Sequence, residues 1–317
     1  MWLSGTSDLI QTLKQRGART VVLQFPEGLK RQAAAVSSKI TAAGFSVIIS
    51  GDPCYGACDL ALDTVSQGGA DVLVHFGHAP VEESPQVIFE PWAVDFDVTT
   101  LSHAFPLLRE KTICLVTTVQ HAHLVPKMET FLASQGYEVR VAHGTNRAPL
   151  RGQVLGCNFT AAKMTGVSEV LFIGTGIFHP TGIALSTKTR VVALDPFTGT
   201  AVEVSADSLL RRRSAIIEKA RNSRNIGILV STKSGQQRWD LARQLAKLVP
   251  GTSIIAMREI NPDELLNLGF DCYVNTACPR LAYDDQVRFG KPVLSPQEFE
   301  ILCGARNWDD YMIDEIV

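Results

Sequence analysis

Short apolar, β-branched runs alternate with helix-spaced apolar positions along the whole chain. Thr20–Phe25 (TVVLQF) reads as a buried strand, and Leu29, Ala33, Val36 and Ile40 then fall at helical spacing. Further strands are predicted at Phe45–Ser50, Val72–Phe76 and, shorter, Val87–Phe89. The pattern restarts at Thr112–Thr117, followed by a helix through Met128, Phe131 and Leu132 and strands at Tyr137–Ala142, Val170–Gly174 and Val191–Leu194. It restarts again at Ile226–Ser231, with a helix through Leu241, Leu245 and Leu248 and strands at Ser253–Met257, Cys272–Asn275 and Val293–Leu294. Asn261-Pro262 has the chemistry of an N-cap and first-turn pair.

Strands alternating with helices of this length argue for parallel sheets built from βαβ crossovers. The expected fold is therefore α/β, with three similar parallel-sheet domains of about 100 residues each, an ordinary domain size. Their bounds are placed at 1–105, 106–215 and 216–317. The second boundary falls in a polar helix around Ala206–Asn222, where Arg211-Arg212-Arg213 reads as a solvated face.

Composition narrows the function classes. Hydrophobic residues make up 45% of the 317 and charged residues 20%, so a sizeable core is expected. The net charge of −2 offers no electrostatic case for nucleic acid or an anionic membrane. The start, MWLSGTSDLIQTLKQ, lacks a basic and apolar leader pattern, and no apolar run of about 18 residues appears, so a cytoplasmic protein without a membrane span is expected.

In parallel sheets, ligands sit beyond the carboxyl ends of strands. There this chain places GDPCYGAC (51–58), GHAP (77–80), TVQHAH (118–123), GTGIFHP (174–180), STKSGQ (231–236) and NTACPR (275–280). If the three units face one another, these segments converge.

The seven cysteines do not cluster as a disulfide framework. Cys114 and Cys272 fall inside strands and Cys303 near a helix end, which suits core or surface filling. Cys54 and Cys58 sit in a loop leading into a helix expected near Asp59. Cys157 is expected to open a helix at Asn158–Thr165, a position that favours the thiolate. Cys278 follows a buried strand directly. Position thus nominates four cysteines, one per repeat plus a spare in the first. Three thiolates do not close a structural zinc site, whereas three with an open fourth position suit a 4Fe–4S cluster with one exposed iron. Cys54 stays open as a fourth ligand. A Cys-x3-Cys-x2-Cys signature fails, because Ala61 holds its third position.

Several of these segments match a known family. GDPCYGACDL (51–60), ADVLVHFGHA (70–79), QVLGC (153–157) and ACPRLAYD (277–284) strongly resemble the cysteine signatures of the diphthamide biosynthesis family in its single-subunit archaeal form. TTVQ (117–120), GTGIFH (174–179), LDPFTG (194–199) and STKSGQ (231–236) add to a resemblance running nearly end to end.

The resemblance implies three α/β units in pseudo-threefold arrangement around a central 4Fe–4S cluster held by Cys58, Cys157 and Cys278, with Cys54 outside the triad. It implies a homodimer and an external one-electron donor. The implied reaction cleaves the S–Cγ bond of S-adenosylmethionine, releases methylthioadenosine, and transfers a 3-amino-3-carboxypropyl radical to C2 of a histidine imidazole in translation elongation factor 2. Gly56, Gln120, Gly174, His179, Asp195, Gly235, Gln236 and Arg280 lie in the matching motifs and are the expected S-adenosylmethionine contacts, each with a turn, capping or ion-pair role as its alternative. Gly176 belongs with these glycines. His121 and His123 lack a third ligand nearby in sequence; His75 reads as a core histidine and His78 as facing the central loops. Two other classes compete: a quinolinate-synthase-like 4Fe–4S enzyme, and a non-catalytic α/β ligand-binding protein.

Overall fold

In a computed structural model of the protein, residues 6–163 and 167–317 are described. They form three sheets with one shared strand order. The first is β2-β1-β3-β4, from β1 Thr20–Gln24, β2 Ser46–Ser50, β3 Val72–Phe76 and β4 Val87–Glu90. The second is β6-β5-β7-β8-β9, from β5 Thr112–Thr117, β6 Glu138–Arg140, β7 Glu169–Ile173, β8 Arg190–Leu194 and β9 Ala201–Glu203. The third is β11-β10-β12-β13, from β10 Ile226–Ser231, β11 Ser253–Met257, β12 Cys272–Asn275 and β13 Val293–Leu294. Equivalent strands start in equivalent register, Thr20 against Ser46, Thr112 against Glu138 and Gly227 against Ser253. All pairings among these strands are parallel except β8–β9.

The α/β reading with three similar parallel units therefore holds. Two of the strands differ from the sequence expectation. β9 was not foreseen; three residues long, it pairs antiparallel on the edge of β8. The run Tyr137–Ala142 shortens to β6, an edge strand that pairs with β5 over three residues.

Alternation explains why the central strands are apolar throughout. Val21, Leu23, Val72 and Val74 pack into one core while Val22 and Leu73 pack into the opposite one. In the second sheet Ile113, Leu115 and Leu171 face one side and Cys114, Val116 and Phe172 the other. In the third, Ile228, Val230 and Val274 oppose Leu229 and Tyr273. Cys114 and Cys272 are fully buried core residues, as their strand positions implied.

Two linking segments pack forward along the chain. Leu101 and Ala104, from the short 3-10 helix Val98–Ala104, join the core of the second sheet. The helix Asp207–Ala220 buries Ile217 and Ala220 in the core of the third, although Leu209 reaches the second. Within it, Arg211 and Arg212 are exposed but Arg213 is 1% exposed, which corrects the reading of that triplet as solvated. The Arg213 guanidinium bonds both carboxylate oxygens of Glu298 and donates to the carbonyls of Ala282 and Val293. A fork of five donors can be satisfied in a dry site, and that lets it be buried. Asn261 caps Pro262–Leu268 as expected, its side chain accepting from Glu264 N–H at 2.9 Å.

Candidate iron–sulfur site

Cys58, Cys157 and Cys278 come from three different units and converge beyond the carboxyl ends of the strands. They are close enough that the charge of Cys58 acts on both other thiols and that of Cys157 on Cys278. The loops that carry them are interlocked. Gly235, after β10, lies directly on Cys58: a Cβ there would stand 2.5 Å from Cys58 Cα and 2.6 Å from its Cβ, so only glycine fits. Gly235 N–H also donates to the Cys58 carbonyl at 3.3 Å. Arg147, from the second unit, donates Nη2 to the Gly235 carbonyl at 3.0 Å. Gly156 sits equally close to Phe178, 2.7 Å from its ring to a built Cβ, with the Arg280 guanidinium 4.9 Å above that same ring. Ile316 N–H holds the Cys157 carbonyl at 2.7 Å, and Asn275 Nδ2 holds that of Cys278 at 2.8 Å.

Local structure around two cysteines corrects the sequence expectation. The helix after Cys58 starts at Leu62, not near Asp59. No helix opens at Cys157: Leu155 and Asn158 bridge across it in a tight loop, and a 3-10 turn follows at Thr160–Ala162. The last part of the expected helix, 164–165, lies outside the described residues. The thiolate bias inferred from helix N-termini is therefore absent. Burial pushes the Cys157 thiol up to about 11, reinforced by Cys58 and opposed by Arg147. Burial also raises Cys58 against a hydrogen bond from Gln236 and the charge of Arg147, and it raises Cys278 as well, reinforced by Cys58 and Cys157.

Three half-buried thiols that resist ionisation alone are suited to a metal, whose positive charge drives their deprotonation. Two donors await the resulting sulfur charge. Gln236 Nε2 points at Cys58 Sγ at 3.2 Å, and Arg147 Nε is buried with no hydrogen-bond partner. An orphaned cationic donor beside three thiols fits an inorganic cluster whose sulfurs accept hydrogen bonds.

A cavity of about 410 Å³ opens against Cys58 and Cys278 between the first and third units. Its wall is mixed: Arg258, Arg280, Arg288 and Lys233 face Glu259 and Asp285, with Tyr55, Ile260 and Leu281 supplying apolar surface. Lys233 is clamped by Asp59 at 2.9 Å and Glu259 at 2.7 Å, and lies 4.9 Å over the Tyr55 ring. Burial works to lower its pKa, but the two carboxylates outweigh it and hold the ammonium above its ordinary value.

The sequence-nominated residues divide in space. Gln236 and Arg280 line the cavity, and Arg280 also pairs with Asp284 at 2.8 Å. Gly56 and Gly235 shape the Cys58 loop. His179 lies behind them, stacked on Phe172 and pushed down to about 4 by burial and by Arg280. Gln120 donates to the Gly77 carbonyl at 3.1 Å and so joins the second unit to the first. Asp195 accepts from Phe197 N–H in the turn before β9, and Gly174 sits under the Phe172 ring. His121 Nδ1 donates to the Val94 carbonyl at 2.9 Å, and His123 pairs with Asp95 at 2.8 Å. Lys233, Asp59, Glu259 and Arg147 were missed. A lysine inside STKSGQ, directly after a fully apolar strand, was a usable signal. Nothing local distinguishes Arg147.

Fold and site together define a class: a three-unit α/β protein that gathers one cysteine per unit about a shared centre. The chain is similar to a crystal structure of Dph2 from Pyrococcus horikoshii with a 4Fe-4S cluster, with a TM-score of 0.93 and 37% identity, over 98% of this chain and 93% of that one. The 2-(3-amino-3-carboxypropyl)histidine synthase of that organism is 37% identical over 98% of this chain and 93% of its own length. Subunit 1 of the corresponding enzyme from Encephalitozoon cuniculi is 30% identical over 98% of this chain and 89% of its own length. A family model described as "Putative diphthamide synthesis protein" matches residues 25–313. The chain belongs to the diphthamide synthesis protein family, a family of enzymes.

Proposed function

We propose that the protein is a 2-(3-amino-3-carboxypropyl)histidine synthase that carries a 4Fe–4S cluster on Cys58, Cys157 and Cys278. The substrate is S-adenosylmethionine and the acceptor is a histidine of translation elongation factor 2. The observation that carries this reading is the meeting of three cysteines from three units, two of which, Cys58 and Cys278, line a charged cavity.

When bound, the cluster supplies the electron that breaks the S–Cγ bond. The chain's own residues place the substrate. The cavity has cations for a carboxylate, carboxylates for an amino group and sulfonium, and the Tyr55 and Ile260 surfaces for an adenosyl group. Arg280 and Arg288 are assigned to the carboxylate and Glu259 to the cationic end. Such positioning would decide which carbon–sulfur bond of the sulfonium is the one that breaks. Gln236 and Arg147 stabilise negative charge on the ligating sulfurs. Over the whole reaction the aminocarboxypropyl group replaces hydrogen at imidazole C2, methylthioadenosine leaves, a proton is released, and the electron spent on the S–Cγ bond is given back as the imidazole adduct loses that proton, so there is no net oxidation or reduction.

Anaerobically purified, reduced protein with S-adenosylmethionine and elongation factor 2 should yield methylthioadenosine and a labelled factor. 5′-Deoxyadenosine in place of methylthioadenosine sinks the reading. Replacing Cys58, Cys157 or Cys278 singly by Ala should remove the cluster's iron, measured by iron analysis and the visible absorption band.

A further inference from the structure

A second group of ligand-type side chains stands apart from the three cluster cysteines. Cys54 lies four residues before Cys58 in the same loop, His75 is in β3, and His78 follows that strand. One ligand atom from each lies within 4.8 Å of the others. Cys54 and His75 are buried and His78 is partly buried.

Hydrogen bonds settle which nitrogen of His75 is free. Gln24 donates Nε2 to the Asp59 carbonyl at 2.7 Å and accepts at Oε1 from Ala61 N–H at 3.2 Å. Its amide orientation is thereby set, and Oε1 lies 2.8 Å from His75 Nδ1. His75 Nδ1 must carry the proton, which leaves Nε2 with a lone pair, 3.0 Å from His78 Nδ1. An amide oxygen held on the far nitrogen is the arrangement that orients a metal-binding imidazole. Two nitrogens on a tetrahedral zinc ion stand roughly 3.3 Å apart. The imidazole pair is already near that spacing, and a modest approach by the Cys54 sulfur completes a three-ligand face.

We propose that Cys54, His75 and His78 bind one zinc-class divalent transition-metal ion, with Gln24 as the residue that positions His75. The Cys/His₂ donor set is borderline-soft, as such an ion requires. On binding, the proton between the two rings is replaced by the metal: His78 carries its proton on Nε2 instead of Nδ1, Cys54 becomes a thiolate, and one proton goes to solvent. The ion ties the loop that carries Cys58 to the end of β3. It is independent of the reaction proposed above.

The test starts from protein in which Cys58, Cys157 and Cys278 are all replaced by Ala, so that no cluster thiol remains. Titration with cobalt(II) should saturate at one ion per chain with a thiolate-to-cobalt charge-transfer band, and zinc should displace it. Cys54→Ser should abolish the band, and Gln24→Leu should weaken binding by about 10- to 100-fold. In the iron-loaded wild-type protein, zinc addition and desalting should leave one zinc per chain beyond the iron, and Cys54→Ser should lose the zinc alone. No band and no retained zinc, or a band that survives Cys54→Ser, overturns the proposal. The wild-type measurement stands by itself if the triple variant does not fold. Failure of the cluster reading shows separately, as wild-type protein without iron.

Discussion

At the scale of single residues, the site depends on a glycine as much as on its cysteines. Gly235 has Cys58 Cα 2.5 Å from where its Cβ would be, and backbone there has no side chain to swing aside. Gly235→Ala should cost about 1–3 kcal/mol, as overpacking does, and lower the iron content of purified protein. Gly290→Ala is the control, because nothing lies within 4 Å of its built Cβ. Equal thermal midpoints and equal iron in the two variants would refute the close-approach argument. Cys58 and Cys278 were legible from their loops, yet their ionisation was not. Burial decides it, and burial is set by neighbours 100 or more positions away, such as Gln236 on Cys58.

At the scale of elements, each unit ties the start of its first strand in the same way. Asp71 accepts from the N–H groups of Arg19 and Thr20, Glu169 from those of Arg109 and Glu110, and Asp271 from those of Arg224 and Asn225. Each acid stands at the entrance of the strand beside the first one. These backbone bonds hold Asp71 and Asp271 below the ordinary aspartate value of 3.8. A lowered carboxyl pKa stabilises the fold at pH above the unfolded value, and the contribution is lost as pH falls through the folded one. Asp71→Asn and Asp271→Asn should therefore lower the thermal midpoint at neutral pH. Their deficit against wild type should shrink as pH drops below the ordinary aspartate value. A deficit independent of pH would mean that geometry, not charge, does the tying. The alternation of apolar runs made the strands and their order of appearance readable. It did not announce these clasps, because one acid before a strand looks like any turn residue.

At the scale of the whole molecule, the units are joined by a few long-range polar bonds. Arg238 donates to the carbonyls of Thr276 and Ala277, next to Cys278, and forms a two-pronged pair with Asp314 at 2.6 and 2.8 Å. Two residues beyond Asp314, Ile316 N–H holds the Cys157 carbonyl. Glu315 adds bonds to Phe159 N–H, Lys163 and Ser186 of the second unit. One segment thus braces two of the three cysteine loops. Asp314→Ala leaves the Arg238 charge unpaired and largely buried, and should cost about 3–5 kcal/mol. Iron content should fall with the thermal midpoint. Full iron retention would show that the loops keep their places without the brace.

The sequence by itself determined the repeat, the strand positions, the core cysteines and the loops that carry the chemistry. Those features follow from local periodicity and from each residue's own size and polarity, which are present before folding. Only the tertiary structure decided that Cys157 opens no helix, that Arg213 is buried on Glu298, and that Arg147 and Lys233 face the centre. Each of these results from desolvation and partner choice between groups far apart in the chain, and a linear pattern carries no record of who will be opposite whom. Cys54 shows both sides. Its loop position made it a candidate ligand, but its closeness to His75 and His78 exists only once β3 lies beside that loop.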